Sequence, residues 1–173
     1  MLKKRMFMNS LKRKKMTTMY YTVQIKLRTD EEQHEILQQY EYVYLSELQR
    51  LITKMINLKK KQRFTTFQYS SCIDKSCRWM LYNVATKIAT AKIENRTGTY
   101  NKSGTWSPNA FKIIHNDLFL SCGDGFPCKE IIIPLAMNSK IEHRLNKGKK
   151  IRLDLVHDEN LWYCNILMQA EDQ

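Results

Sequence analysis

The chain has 173 residues, of which 43% are hydrophobic and 10% aromatic, so it has enough apolar side chains to form a folded core. This composition excludes an intrinsically disordered protein. Lysine and arginine number 29 and aspartate and glutamate 17, which leaves a net charge of +12. A charge of this sign and size favours a polyanionic partner, with nucleic acid first and an anionic membrane surface second.

The first part of the chain predicts a basic leader, one strand and one long helix. Residues 1–18 are rich in lysine and arginine, and we expect them to be loosely ordered. Apolar and polar residues alternate over residues 21–27, which is typical of a half-buried strand. Thr29 and Glu32 have the spacing of a capping box, and apolar residues then recur at helical spacing to about residue 57.

A connector, a second helix and a loop follow. The connector, LKKKQRFTTFQY, places basic residues beside aromatic ones. Ser71 and Asp74 have the spacing of a second capping box, which predicts a helix from there to about Ala91. Residues 95–109 are polar and contain glycine, serine and proline, so they predict a loop.

The remainder of the chain is predicted to consist mainly of strands. Short alternating or apolar runs are separated by turn residues, and the last two runs flank the polar turn His157-Asp158-Glu159-Asn160, which indicates a hairpin. The predicted strands are residues 111–115, 118–122, 129–136, 151–155 and 162–168, with a short linker or helical turn at residues 139–146.

This order of elements predicts an α+β fold. A lone strand separated by helices from the other strands implies that the chain leaves a sheet, builds a helical lobe and returns to complete the sheet. The economical arrangement is a small antiparallel β-barrel, similar to an OB fold, with a two-helix insertion after the first strand. We therefore assign residues 19–28 and 110–173 to the barrel and residues 29–109 to the helical insertion, after the leader at residues 1–18.

The candidate nucleic-acid-binding residues combine cations for phosphates with aromatic rings for bases. The connector has the densest group, although a solvated turn with buried aromatic residues has the same pattern. Tyr100 and Trp106 are stacking candidates in the polar loop, lysines before the terminal hairpin can follow phosphates along a barrel rim, and the leader adds salt-sensitive affinity. The full set is Lys12, Arg13, Lys14, Lys15, Lys59, Lys60, Lys61, Arg63, Phe64, Phe67, Tyr69, Tyr100, Lys102, Trp106, Lys147, Lys149, Lys150 and Arg152.

The sequence predicts no catalytic residues, no metal site and no cofactor. The acidic residues lie mainly at turns and helix starts, where capping explains them, and the 4 histidines are scattered. The 5 cysteines include neither a CxxC pair nor zinc-finger spacing, and we expect reduced, mostly buried thiols. No apolar run approaches the roughly 18 residues of a membrane span, so no membrane partner and a cytoplasmic location are expected.

Taken in order, these stretches resemble the N-terminal part of a known protein family. The similar stretches are YYTVQIKLRTDEEQHEILQQYEYVYLSEL, AFKIIHNDLFLSCG, EIIIPLA and IRLDLVHDENLWYCNILMQAED. They are similar to the wedge domain and helical recognition lobe of the TnpB-type transposon-encoded RNA-guided nucleases and their CRISPR type V relatives. The resemblance implies a wedge barrel that holds structured guide RNA and helps to contact target DNA.

The chain also departs from that family. Arg28-Thr29-Asp30 stands where an arginine, an aromatic residue and a proline are usual, and the Arg-aromatic and Tyr-Asn pairs of the first helix are absent. The family's next element is the RuvC-like nuclease domain with its catalytic aspartate, and this sequence ends at Gln173 before that element.

The sequence therefore predicts a non-catalytic RNA-binding protein, a truncated or split relative of the TnpB-type nucleases. RNA is the expected partner, with duplex DNA and a separate nuclease subunit as further partners. Four alternatives stay open: a partner or inhibitor of an RNA-guided nuclease, a stand-alone DNA-binding regulator, an unrelated enzyme whose site the sequence does not reveal, and a remnant without function.

Overall fold

The computed structural model describes residues 17–58, 63–96 and 98–171. Two antiparallel sheets and three α-helices make up these segments, so the fold is α+β, as predicted. The strands are β1 (Tyr20–Lys26), β2 (Gly104–Trp106), β3 (Phe111–Ile114), β4 (Asp117–Ser121), β5 (Glu130–Pro134), β6 (Gly148–Asp158) and β7 (Leu161–Ala170). The helices are α1 (Glu31–Asn57), α2 (Arg78–Ile93) and α3 (Ser139–Asn146), with 3-10 turns at Phe64–Thr66 and Lys75–Cys77.

The strands are arranged in two sheets that meet at one corner. One sheet has the order β1-β7-β6-β2 and the other the order β3-β4-β5. Leu27, just after β1, forms a bridge with Leu135, just after β5, and Ala136 N donates to Lys26 O at 2.9 Å. The strands thus follow one another around a corner, but β2 and β3, at the two ends, are not paired in the described segments. The predicted small barrel is therefore not confirmed, because the described strands form two sheets that do not close.

Two predicted helix starts are wrong. Asp30, and not Thr29, caps α1, because its side chain accepts from Gln33 N at 2.7 Å while the Gln33 side chain accepts from Asp30 N at 2.9 Å. This is the same reciprocal box shifted by one residue. Ser71 does not cap α2 either. Asp74 caps the 3-10 turn that comes first, accepting from Ser76 N at 2.8 Å, and α2 begins only at Arg78.

β2 lies inside the segment predicted to be a polar loop. It has three residues and pairs with β6, so that Gly104 is opposite Leu155 and Trp106 is opposite Leu153. This pairing places part of the predicted helical insertion in the same sheet as β1. A strand this short between glycine, serine and proline residues has no recognisable alternation, which is why the sequence did not reveal it.

The core lies between the inner face of the four-stranded sheet and α1. Trp106, at 0% exposure, lies in the core with its ring centroid 4.8 Å from that of Tyr40, and Phe126 packs edge-on to Tyr40 at 5.5 Å. Val23, Ile25, Leu153, Leu155, Trp162, Cys164, Ile166 and Met168 are buried from the sheet side. One side of the sheet thus faces the core.

The turn after β4 lies with its backbone directly on the residues that precede α2. Gly123 N donates to Cys72 O at 2.9 Å, and Gly125 N donates to Ser71 O at 3.0 Å. A Cβ atom at Gly123 would lie 2.0 Å from Ser71 O. Close approach of two backbones, and not an unusual φ, requires glycine at this position.

Replacing Gly123 with alanine should therefore destabilise the fold by about 1–3 kcal/mol, because the backbone must move to admit the methyl group. Gly98→Ala is the matched control, since no atom lies within 4 Å of a Cβ built there. Urea unfolding followed by circular dichroism measures both. Equal unfolding midpoints for the two variants would show that the turn does not need the close contact.

Candidate nucleic-acid interface

The predicted interface residues fall into three groups. Seven of them, Lys12, Arg13, Lys14, Lys15, Lys59, Lys60 and Lys61, lie outside the described residues. Phe67 and Trp106 belong to the core, with 9% and 0% of their surface exposed. Trp106 Nε1 also donates to Ser121 O at 2.8 Å. Burial removes Phe67 and Trp106 from the candidate interface, because neither ring has a free face for a base. The remaining residues lie at the surface or are half-buried.

Tyr100, Lys102 and Arg152 are brought together at one edge of the four-stranded sheet. Asp154 is the reason, because this carboxylate, only 4% exposed, is 2.8 Å from Lys102 Nζ and 3.1 Å from Arg152 Nε. Thr105 Oγ1 donates to its other oxygen at 2.9 Å. Two cations on one carboxylate leave a net positive charge, and each cation keeps about a third of its surface exposed, 30% and 35%.

Tyr100 is fixed beside this pair of cations and does not point freely into solvent. Its hydroxyl is hydrogen-bonded to the hydroxyl of Tyr44 on α1, and the two rings stack with centroids 6.4 Å apart. Burial raises the pKa of Tyr100 to about 12. Tyr100 therefore joins the edge of the sheet to α1 and contributes only one side of its ring to the surface.

One surface of the four-stranded sheet continues from Arg152 across all its strands. We name this surface the outer face and define it by four cross-strand rows whose side chains point away from the core. The rows are Tyr20 with Gln169 and Lys149, Thr22 with Leu167 and Arg152, Gln24 with Asn165, Asp154 and Thr105, and Lys26 with Tyr163 and Val156.

The outer face carries positive charge and is exposed along β1, whereas Asp154 and Thr105, at its β2 side, are buried. Its four β1 residues are all exposed, and its four β7 residues are half-buried between neighbouring strands. Lys26, Lys149 and Arg152 supply cations at three of the four rows, and Asp154 is the one acid in these rows. From Tyr20 to Lys26 a strand extends about 20 Å, so the face can contact several nucleotides in succession.

Of the residues on this surface, only Lys149 and Arg152 were selected in the sequence analysis. Lys26, Tyr20, Tyr163 and the amides of Gln24 and Asn165 are on the outer face because they alternate with buried residues in β1 and β7. The alternation itself was recognisable in the sequence. What it did not reveal was which strands are neighbours, and only that pairing brings the residues of β1, β6 and β7 into one surface.

A β-bulge separates the lysines before the terminal hairpin from Arg152. The register of β6 against β7 shifts between Lys150 and Arg152. Lys149 is exposed on the outer face, Lys150 is half-buried opposite Met168, and Lys147 is exposed at the end of α3. The three lysines therefore surround one end of the sheet and do not all share one face.

A second group of aromatic residues lies at the start of α2. Phe64, Tyr69, Trp79 and Tyr82 pack ring against ring, with centroids 5.2–5.8 Å apart. Tyr69 donates its hydroxyl hydrogen to Phe64 O at 3.0 Å, and burial raises the pKa of Tyr69 to about 12. Phe64, a predicted stacking residue, thus packs against Trp79, which was not selected in the sequence analysis, and Tyr69 packs against Phe64.

One polar network joins α1 to the terminal hairpin and contains the three residue types of a catalytic triad. The Glu41 carboxylate is 3.1 Å from His157 Nδ1 and accepts a hydrogen bond from Ser103 Oγ, while His157 stacks on Trp162 at 3.8 Å. A nucleophilic triad needs the imidazole between the hydroxyl and the carboxylate. Here the carboxylate lies between the other two groups, so His157 is not placed to take the Ser103 proton.

The cysteines are free and buried or half-buried, as predicted. Burial raises the pKa of Cys164 to about 12 and also raises the pKa of Cys122, which keeps both thiols neutral at pH 7. Across the residues that the structure describes, no three histidine, cysteine or acidic side chains group closely enough to hold a metal ion. These buried thiols pack as small apolar side chains.

No family model matches this chain, and no curated protein is significantly similar to it. Within residues 17–58, 63–96 and 98–171, no helix is both long enough and apolar enough to cross a membrane.

Asp154→Asn should lower the free energy of unfolding by about 1–2 kcal/mol, because it leaves Lys102 and Arg152 without their common anion. The loss is smaller than for a fully buried ion pair, since both cations are partly solvated. Asp158→Asn, an exposed acid in the hairpin turn, is the control. Urea unfolding in low salt should separate the two variants. If they unfold at the same denaturant concentration, the pairing at Asp154 contributes nothing to stability.

Proposed function

We propose that this protein binds RNA through the outer face of the four-stranded sheet and does not itself cut it. The observation that carries the proposal is the combination on that face of Lys26, Lys149 and Arg152 with exposed Tyr20 and half-buried Tyr163. Cations that follow phosphates and rings that stack on bases are what a single strand requires. Because Lys102 and Arg152 compensate Asp154, the acid on this face does not cancel the attraction.

The shape of the surface favours a single strand or a loop over a duplex read in its groove. A base-reading element must enter the major groove as a helix or a two-stranded ribbon. The outer face is instead one side of a four-stranded sheet, on which unpaired bases can lie flat against side chains. The exposed amide of Gln24, in the middle of the face, can hydrogen-bond to base edges. Duplex DNA stays a further partner in the proposal.

The resemblance to the wedge domain of TnpB-type nucleases is part of the same proposal. Its support is the strand order, in which β2, β6, β7, β1, β5, β4 and β3 follow one another with the corner at Leu27 and Leu135 and one gap between β2 and β3. We interpret this order as a partly open, OB-like wedge barrel, with α1 and α2 as its recognition lobe. A protein of this kind would hold a guide RNA and leave cutting to a separate nuclease subunit.

Removing Lys26 and Lys149 together should weaken binding to an oligouridine of about 20 nucleotides and reduce its salt dependence. Each lost phosphate contact should reduce the slope of log affinity against log salt concentration by about 0.7. Fluorescence anisotropy of the labelled oligonucleotide at several salt concentrations measures both quantities for Lys26→Ala/Lys149→Ala.

The matched control is Lys87→Ala/Lys129→Ala, which removes the same charge from two exposed lysines on α2 and the turn before β5. If net charge alone attracted the RNA, the two double variants would lose affinity equally. An equal loss, or no loss in either variant, contradicts the assignment of the outer face.

A further inference from the structure

Trp79 is an exposed ring held in a fixed orientation. Its side chain is 55% exposed, although it stacks on Tyr82 with centroids 5.6 Å apart and an interplanar angle of 27°. Phe64 packs edge-on against it at 5.2 Å. Rings supported on one side lose little conformational freedom when a ligand stacks on the other side, so this indole is preorganised as a binding surface.

Basic residues are close to this ring in the chain. Arg78 directly precedes Trp79, is half-buried, and has its guanidinium carbon 5.9 Å from the centroid of the Tyr69 ring. Arg63 and Lys75 are exposed on the two short segments that flank the cluster.

Two acids close to the cluster, Asp74 and Glu47, have hydrogen-bond or ion-pair partners of their own. Asp74 accepts hydrogen bonds from Ser76 and from Ser121 Oγ, the latter at 2.7 Å. Glu47 is paired with Arg50 and accepts from Ser70 N at 3.0 Å. A cavity of about 270 Å³ is lined by Lys75 and Arg78 together with the acids Asp74 and Asp124. Arg78 and Lys75 thus carry positive charge near the start of α2, and these two acids offset part of it.

We infer that Trp79 and Arg78 form a second RNA contact, in which an unpaired base stacks on the indole and a phosphate oxygen accepts from the guanidinium. An aromatic ring beside unpaired basic groups matches a nucleotide in both shape and charge. This inference rests on the proposed RNA binding but uses α2 and the segment before it, and none of the residues of the outer face. It therefore predicts that one RNA strand or two parts of one RNA contact both surfaces.

Intrinsic fluorescence can observe this contact directly. The chain has 3 tryptophans, and Trp106 and Trp162 are both at 0% exposure, so acrylamide quenching of the folded protein reports mainly on Trp79. Saturating oligouridine of about 20 nucleotides should protect this exposed fraction from quenching. In Trp79→Phe, the accessible fraction should be absent with and without the oligonucleotide.

Affinity measurements with the same oligonucleotide complete the test. Trp79→Ala should bind about 5- to 150-fold more weakly, as expected for one lost stacking contact, and Trp79→Phe should recover most of the loss. Tyr42→Ala is the control, because Tyr42 is an aromatic residue that is 75% exposed on α1. It should leave the affinity unchanged.

The outcomes separate this inference from the proposed function. If the wild-type protein binds oligouridine while Trp79 stays accessible and Trp79→Ala binds normally, the inference is wrong and RNA binding by the outer face stands. If the wild-type protein does not bind oligouridine, both fail. If Trp79→Ala and Tyr42→Ala weaken binding equally, the loss is not specific to the aromatic cluster, and the inference is likewise overturned.

Discussion

The pairing of β1 with β7 is the constraint on which the rest of the structure depends. The two strands are in register from Tyr20 opposite Gln169 to Lys26 opposite Tyr163, although they come from opposite parts of the described chain. Directly after this pairing, Leu27 meets Leu135 and connects the second sheet. β1 pairs with β7, and the residue after it meets the second sheet at the corner with β5. The chain therefore leaves the sheet after β1 to form α1 and α2, and α1 packs on the inner face of the sheet.

The two sides of the four-stranded sheet differ in what lies against them. The inner side is filled by the core, where Tyr40 on α1 stacks on Trp106. The outer side keeps its cations and rings because no described hydrophobic layer covers the exposed β1 residues. Asp154 fixes Lys102 and Arg152 at the edge without cancelling their combined charge. Apart from the ion pairs of Asp154, the core and the proposed RNA contact use different sides of the same strands, so substitutions of exposed residues such as Lys26 and Lys149 can test binding without unfolding the protein.

Much of the fold could be predicted from periodicity, whereas the site could be predicted only in part. The long helix and the terminal hairpin have strong hydrophobic patterns, and both are present. A helix keeps its period of 3.6 residues and a strand its period of 2 whichever elements pack against them. Trp106 and Trp79 show where this reasoning ends. The first lies in a polar loop sequence yet is buried, and the second lies in a helical sequence yet is exposed. Burial of a single ring depends on which elements pack together, and the periodicity of one sequence does not reveal that packing.

The most direct test of the account is to purify the protein from its native host without nuclease treatment, cross-link any bound RNA with ultraviolet light, and map the cross-linked peptides. The account predicts a discrete structured RNA whose cross-links lie in YYTVQIK of β1 and LWYCNILMQA of β7. Cross-links confined to the three-stranded sheet, or a protein that carries no RNA at all, would contradict RNA binding by the outer face.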